Sequence, residues 1–170
     1  MERKDQKIVQ SGERTNAAGK SVSNKILLSA SDSDYNSLRP YLEYFSLPNH
    51  LILHQAGAKL ECAYFPNRGL ISLVVVMKDG KSAEAGIVGN EGFTGTPAAV
   101  GLSRGSLQAV VQITGDGFRV EVRALQRTLE SAPHLHMMLN RYAAIRGIRL
   151  HKPRRVTGCM ILSSAWRGGC

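Results

Sequence analysis

The sequence predicts a mainly β protein of the α+β class, a double-stranded β-helix or jelly roll with helices before and after it. From Tyr44 to Val122, short apolar runs with strand periodicity alternate with turn residues, at the spacing of sandwiches, barrels and jelly rolls. Helical periodicity lies on either side of that region. A third observation is the glycine-rich segment, Gly86–Val111, whose six glycines indicate sharp turns or close approach of another group.

The first 23 residues are polar and lack periodicity, which predicts a disordered arm over residues 1–23. The folded domain is expected to start near Asn24. Ser31 or Ser33 can cap a helix over Asp34–Tyr41, because serine side chains accept hydrogen bonds from the first amides of a helix.

Residues 24–132 are predicted to form the β-roll. Asp79 and Gly80 predict a two-residue hairpin turn, and Pro66–Gly69 and Gly115–Gly117 predict further turns. The predicted strands are Tyr44–Leu47, Leu51–His54, Ala63–Phe65, Leu70–Met77, Ser82–Val88, Leu107–Thr114 and Phe118–Val122.

Two closing helices are predicted, over Glu121–Ser131 and Pro133–Ile148. Apolar residues of the second helix recur at helical spacing and form a narrow seam that suits another helix. Two heptads do not distinguish dimerisation from docking on the domain's own surface; dimerisation is the favoured interpretation. Residues 133–148 are assigned to the start of the dimerisation helix, and the residues proposed to contact the partner are Leu135, Met138, Leu139, Tyr142 and Ile145.

The net charge of +9 over 170 residues is concentrated at the end of the chain. Seven basic and no acidic residues follow Glu130, and the first 130 residues hold 15 basic against 13 acidic residues. The charge is therefore weak evidence for nucleic-acid binding by the folded part. No apolar run approaches the roughly 20 residues of a membrane span, and the N-terminus lacks the apolar centre of a signal peptide, so we expect a cytoplasmic protein without a membrane partner.

Within the glycine-rich segment, Gly95–Val100 can form one helical turn with Thr96 as N-cap and Pro97 at the first helical position. The free amides of such a turn can bind an anion. The alternative is a tight corner of the roll that binds nothing.

These features together resemble the sensor domain of Crp/Fnr-type bacterial transcription regulators, from about Asn24 to Gly147. The resemblance implies the cyclic-nucleotide-binding fold, with the glycine-rich segment as its phosphate-binding cassette and an effector that acts on a dimeric DNA-binding protein. It rests on Tyr64-Phe65-Pro66-x-x-Gly69, Leu73–Met77 with Asp79-Gly80, Val88-Gly89-x-Glu91-Gly92-Phe93-x-Gly95, Ala109-Val110-Val111-Gln112 and Leu139-x-Arg141-Tyr142. The ligand-binding residues it implies are Gly92, Gly95, Thr96, Pro97, Ala98, Arg104, Ser106 and Gln108.

The segment departs from the cyclic-AMP-binding pattern of that family. The ribose-binding glutamate is replaced by Thr96, and the position of the phosphate-binding arginine falls at Ser106–Leu107, with Arg104 nearby as a shifted candidate. Loss of a charged phosphate partner argues against cyclic AMP as the ligand, and no other cofactor is assigned. The three cysteines are too far apart to form a cysteine-rich metal centre, and His134 and His136 point in different directions on a helix.

After Gly147 the sequence loses its helical period, although family members continue there into a helix-turn-helix. The codons of Met160 and Ile161 force aspartate in a shifted frame, and degeneracy permits an amphipathic continuation there. Our hypothesis is a frameshift near Ile148, which makes residues 149–170 a non-native tail and leaves the chain truncated before its DNA-binding helices. DNA is then a partner only where those helices are restored.

The favoured function is thus the effector-sensing domain of a Crp/Fnr-type regulator, with a small-molecule effector and a homodimer in the intact relative. A stand-alone ligand-binding or regulatory dimerisation module, without DNA binding, is the alternative. A jelly-roll enzyme has little support, because no clustered metal ligands or nucleophile elbow are present in the sequence. We expect no enzymatic activity.

Overall fold

A computed structural model describes the backbone of residues 9–77 and 79–151 and the side chains of 9–77 and 79–147. Five strands form one antiparallel sheet in the order β1-β5-β3-β4, with β2 also paired to β5. The elements in chain order are α1 (Lys25–Ser29), α2 (Asp32–Leu38), a 3₁₀ turn (Arg39–Tyr41), β1 (Glu43–Leu47), β2 (Ile52–His54), β3 (Cys62–Val76), β4 (Ser82–Val88), α3 (Thr96–Ala99), β5 (Gln108–Glu121), α4 (Val122–Ser131) and α5 (Pro133–His151).

Strands β3 and β5 pair along almost their whole length and support the rest of the roll. β1 pairs with the second half of β5 and β2 with its first half, whereas β4 pairs with the second half of β3. The roll with flanking helices confirms the predicted fold class.

Beside a small cluster of Leu60, Ala98 and Val122, the described residues form two main hydrophobic cores, one along each half of the β3–β5 pair. The larger core joins the helices to one face of the sheet and is centred on Phe65, Phe93 and Phe118. The smaller one lies inside the roll around Ile71 and Val111. Burial of this apolar surface supplies the main driving force for the fold.

Two predicted turns are wrong, because the chain does not reverse at Pro66–Gly69 or at Gly115–Gly117. These segments lie opposite each other inside β3 and β5, where the register shifts. Gly69 has a φ of +85°, and a Cβ on Gly115 or Gly117 would collide with the backbone of β3. The glycines therefore permit a bulge and a close approach of two strands, which in sequence looks the same as a turn.

The predicted hairpin at Asp79 and Gly80 is present, and its loop is one residue longer than predicted. The Gly80 amide donates to the Met77 carbonyl at 3.0 Å and the Met77 amide to the Lys81 carbonyl at 2.8 Å. Gly80 has a φ of +80°, as the left-handed position of a three-residue hairpin loop requires.

The first helix predicted, Asp34–Tyr41, is observed as α2 followed by the 3₁₀ turn. Ser31 is its N-cap, and its hydroxyl accepts the Asp34 amide at 3.1 Å. Pro40 ends the α-helical pattern because it has no amide hydrogen to donate.

The prediction of a disordered arm is wrong for residues 9–23. Arg14 is 7 % exposed, and its guanidinium donates to the carbonyls of Leu27 and Ala30 at 2.6 and 2.9 Å. It thereby satisfies carbonyls that α1 leaves unpaired at its end. Val22 is fully buried in the larger core. Residues 1–8 of the predicted arm lie outside the described residues.

The closing helices begin close to where they were predicted, but the apolar seam of α5 lies against its own domain. Leu135 and Leu139 are fully buried in the larger core, and Met138 and Tyr142 pack against it. Ile145 differs, because its side chain is 49 % exposed. Leu135 and Leu139 are thus covered by their own domain, since the spacing of a seam does not specify which surface covers it; for Met138, Tyr142 and Ile145 the dimer-helix assignment stays a prediction. Of the tail assigned to a frameshift, residues 152–170 lie outside the described residues.

Candidate functional site

The glycine-rich segment runs from the end of β4, around the four-residue helix α3, into β5. It is tied to β3 before the helix, because the Thr94 amide donates to the Tyr64 carbonyl at 2.9 Å. Glu91 folds back on the segment, and its carboxylate accepts the Gly89 amide at 3.1 Å. These contacts fix the path of the chain into α3.

Gly95 starts α3 in a left-handed conformation, with a φ of +82°. The backbone angle strongly favours glycine here, and a Cβ would also lie only 3.2 Å from the Ala63 Cα on β3, so that β3 would have to shift slightly. Gly95 is the N-cap, and Thr96 and Pro97 are the first two helical residues. The prediction of Thr96 as N-cap is therefore wrong by one position, because a left-handed cap selects glycine over a side-chain acceptor.

The carboxyl end of α3 is bound by both closing helices. The Gln126 side-chain amide of α4 donates to the Ala98 carbonyl at 3.3 Å. The His136 Nε2 of α5 lies 3.1 Å from the Ala99 carbonyl, the geometry of a hydrogen bond in which a protonated Nε2 donates. Carbonyls at the end of a helix have no partner within it, so these side chains complete the helix.

The loop after α3 is paired with the chain between β2 and β3. The Leu60 amide donates to the Ser103 carbonyl, and the Gly57 amide to the Gly105 carbonyl, both at 2.8 Å. The Arg104 guanidinium donates to the Gly57 carbonyl at 2.8 Å and is exposed. The one candidate phosphate-binding arginine thus already has a backbone partner.

The other predicted ligand residues lie on α3, on the segments before and after it, and at the start of β5. Gly95, Thr96, Pro97 and Ala98 share one turn, and Ala98 is buried with Leu60 and Val122. Ser106 is exposed on the following loop, and Gln108 pairs with Val74 at the start of β5. Gly92 lies under α5, where a Cβ would overlap the Tyr142 hydroxyl. The loop that carries Arg104 and Ser106 lies against α3, because a Cβ on Gly105 would be 3.4 Å from the Pro97 side chain.

Two buried polar side chains at this site were missed by sequence reasoning. Thr94 is 1 % exposed, and its hydroxyl has no hydrogen-bond partner among the described residues. Asn24, predicted only as the domain boundary, caps α1 and donates to the Gly92 carbonyl at 2.8 Å. An asparagine before an apolar helix start was the available signal for the cap; its contact with Gly92 spans 68 residues and has no local signal.

Burial determines the protonation of the titratable groups on the nearby strands. It lowers the pKa of His54 to about 4, so this imidazole on β2 is neutral at pH 7. Burial raises the pKa of the Cys62 thiol and of the Tyr64 hydroxyl, which keeps both groups protonated. Among the residues that the structure describes, no group of three or more His, Cys, Asp or Glu side chains is placed to hold a metal ion.

Two open depressions lie on the described surface, and the second is lined in part by His136, which contacts α3. One, of about 500 Å³, lies between Asn16–Lys20 and Pro40–Tyr44. The other, of about 520 Å³, lies along the outer face of α5, between Pro133 and Ala144. No helix in the described part of the chain is long and apolar enough to span a bilayer.

Comparison with known proteins identifies the fold. No protein-family model matches the chain, and no curated protein sequence matches it. Among solved structures, a cyclic nucleotide-binding domain from Methylobacillus flagellatus matches with a TM-score of 0.56 and 16 % identity, over 75 % of this chain and 73 % of that chain. The chain has the cyclic-nucleotide-binding fold. The fold expected from the resemblance is thereby confirmed.

Two transcription regulators share this fold. The c-di-GMP-responsive global regulator CLP of Xanthomonas campestris matches with a TM-score of 0.60 and 12 % identity. The match covers 71 % of this chain and 61 % of the regulator, so the chain spans less than two thirds of that protein. The N-terminal domain of a transcriptional regulator from Streptomyces coelicolor matches with a TM-score of 0.56 and 19 % identity, over 75 % of this chain and 90 % of that domain.

Proposed function

We propose that the chain is the ligand-sensing domain of a Crp/Fnr-type transcription regulator and that it acts in the cytoplasm without enzymatic activity. The observation that carries the proposal is the pair of hydrogen bonds from Gln126 and His136 to the end of α3. Through them, a ligand that displaces α3 must also change the contacts of both closing helices. A sensing domain needs such a link between its ligand site and its output.

The effector we propose is not cyclic AMP. Thr96 stands where the resembled family has its ribose-binding glutamate, and Arg104 is exposed and bound to the Gly57 carbonyl. The contact with Gly57 fixes one end of the Arg104 guanidinium on the loop. A solvated guanidinium on a loop also gains less from an anion than a buried one does.

A ligand screen by thermal shift, followed by NMR of the histidine rings, tests the proposal. The probes are cyclic AMP, cyclic GMP and cyclic di-GMP, each up to millimolar concentration, because a ligand that binds only the folded state raises its melting temperature. We expect no shift with cyclic AMP. A ligand that does bind is expected to move the ring resonances of His136, with the exposed His50 as the control. Binding of cyclic AMP, or binding of any probe that leaves His136 unchanged, would contradict the proposal.

We also propose that dimerisation uses the outer face of α5 and not the buried seam. This face carries Met137, which is 49 % exposed, beside the depression that reaches Arg141 and Ala144. Sedimentation of the wild-type chain against Met137→Asp tests it, with Glu130→Gln as an exposed control on α4. We expect a dimer that Met137→Asp weakens at least tenfold. A dimer unaffected by the change would contradict this interface, and a monomeric wild type would contradict dimerisation.

DNA binding is proposed only for a form that carries the helix-turn-helix. Resequencing the gene from Pro133 past Cys170 tests the frameshift hypothesis behind this statement. One inserted or deleted base that opens a helix-turn-helix frame would support it. An intact frame with a true stop would instead leave the alternative, a sensing or dimerisation module that does not bind DNA.

A further inference from the structure

Two glycines, Gly86 on β4 and Gly92 on the segment that follows it, lie directly beneath side chains of α5. A Cβ on Gly92 would overlap the Tyr142 hydroxyl, and a Cβ on Gly86 would lie 2.8 Å from Arg146 Nη2. Neither glycine is among those with a positive φ, so the backbone conformation does not demand glycine at these positions. The Tyr142 ring demands glycine at position 92, whereas a side chain at position 86 would displace the guanidinium of Arg146.

The two α5 side chains make specific contacts where they lie on these glycines. The Tyr142 ring packs on Phe93, with centroids 5.3 Å apart, and Phe93 stacks on Phe65 at the same distance. Arg146 Nη1 donates to the Ile87 carbonyl of β4 at 2.7 Å. The Arg146 guanidinium carbon lies 6.0 Å from the Tyr142 ring centroid, within reach of a cation–π interaction.

The two halves of α5 differ in how they are attached. In the first half, residues 133–139, Leu135 and Leu139 are fully buried, and the Leu135 amide donates to the Asp34 carboxylate at 2.7 Å. In the second half, from residue 140, Ala144 and Ile145 are exposed. This half is connected to β4 through Arg146, whose hydrogen bond lies at the surface.

We propose that Tyr142 and Arg146 form a latch, seated on Gly92 and Gly86, that sets whether the second half of α5 is held against β4 or released. Release of Arg146 leaves the first half docked, because that half is held by core packing and by Asp34. Gly92 lies only three residues before Gly95, so movement of α3 also shifts one seat of the latch. The latch itself follows from the contacts alone, whereas its control by a ligand rests on the proposed function.

Amide hydrogen exchange on the full chain, followed by mass spectrometry, tests the latch without any ligand. Arg146→Met keeps the length of the side chain and removes the charged donor. Since a hydrogen bond to a charged group contributes a factor of about ten or more, we expect exchange over residues 143–147 to rise about tenfold. Residues 133–139 and strands β3 and β5 should stay unchanged. Arg123→Met, on an exposed arginine of α4 outside the proposed interface, is the matched control and should change nothing.

A second variant tests the seat of the latch independently. Gly86→Ala places a methyl group 2.8 Å from Arg146 Nη2, so the guanidinium must move away, and alanine is otherwise tolerated in a strand with ordinary backbone angles. We expect it to raise exchange over residues 143–147 as Arg146→Met does, and the double variant to add little, since both changes remove the same contact. Unchanged exchange in both single variants, equal acceleration along the whole of α5, or effects that multiply in the double variant would overturn the proposal. A ligand that fails to act on the latch would contradict its regulation and leave these results standing.

Discussion

Replacement of Asp34 should detach the start of α5 from the rest of the domain. Asp34 is 5 % exposed on α2, and its carboxylate accepts the Leu135 amide at 2.7 Å across 101 residues of sequence. Leu135 is the third residue of α5, and its amide is one of those that a helix cannot pair internally. The Asp34 carboxylate therefore accepts a hydrogen bond that an N-cap side chain usually accepts.

The expected cost follows from two contributions. A lost capping hydrogen bond costs about 0.5–2 kcal/mol, and the favourable interaction of a carboxylate with a helix N-terminus contributes about 0.3–1 kcal/mol, or more when partly buried. Asp34→Ala should therefore lower the free energy of unfolding by roughly 2–3 kcal/mol. Asp34→Asn keeps an acceptor oxygen and loses the charge, so it should lower the free energy of unfolding by only about 1 kcal/mol.

Urea denaturation followed by circular dichroism at 222 nm measures these differences. Glu130→Gln is the control, because it also removes a carboxylate but from an exposed position on α4. An exposed change of this kind should stay within about 0.5 kcal/mol of the wild type. The reasoning fails if Asp34→Ala is no more destabilising than Glu130→Gln, or if Asp34→Asn costs as much as Asp34→Ala.

Three further changes test the buried contacts. Burial of His54 lowers its pKa from 6.5 to about 4, so the unfolded state binds the extra proton, and stability falls as pH drops from 6.5 to 4. Allowing for partial exposure, the wild type should lose roughly 2–3 kcal/mol more than His54→Leu over this range in urea titrations; parallel pH curves would contradict it. Gly117→Ala forces a methyl group onto the Phe65 carbonyl and should lower the free energy of unfolding by about 3 kcal/mol or prevent folding. Gly105→Ala, whose new methyl group has its nearest atom at 3.4 Å, should leave the melting temperature measured by calorimetry close to that of the wild type. Arg14→Met leaves several carbonyls of α1 without their donor and should lower the urea midpoint by an amount equivalent to about 3 kcal/mol; an unchanged midpoint would show that the N-terminal segment does not stabilise the domain.

Elements defined by local signals could be predicted from the sequence. Ser31 caps α2, Pro133 begins α5, and Asp79 and Gly80 turn the chain between β3 and β4, as expected from the residues themselves. In each case the physical cause lies within four or five residues of its effect. Periodicity, capping and turn chemistry describe such short-range causes well.

Features that depend on distant partners could not be predicted. Gly115 gives the same signal for a turn as for a bulge, and its role is decided by the Arg68 backbone across the sheet. Arg14 and Asp34 are polar residues in polar stretches, and only the folded chain shows that Arg14 binds the end of α1 and Asp34 the start of α5. Similarly, the spacing of Leu135 and Leu139 indicates a buried face without indicating what buries it. For the same reason, the glycines of the candidate site could be predicted and its tertiary contacts could not.

The continuous pairing of β3 with β5 has a consequence for the folding kinetics of the chain. Their register joins Cys62 to Glu121 and Val74 to Gln108, so every pair closes a loop of tens of residues before it gains any stability. Both cores border this pair of strands, and neither can form from neighbouring segments alone. We therefore expect a high contact order and a folding time in the range of milliseconds to seconds, in spite of the helices around the roll. The helices can form and dissolve many times while the chain searches for this one long-range pairing.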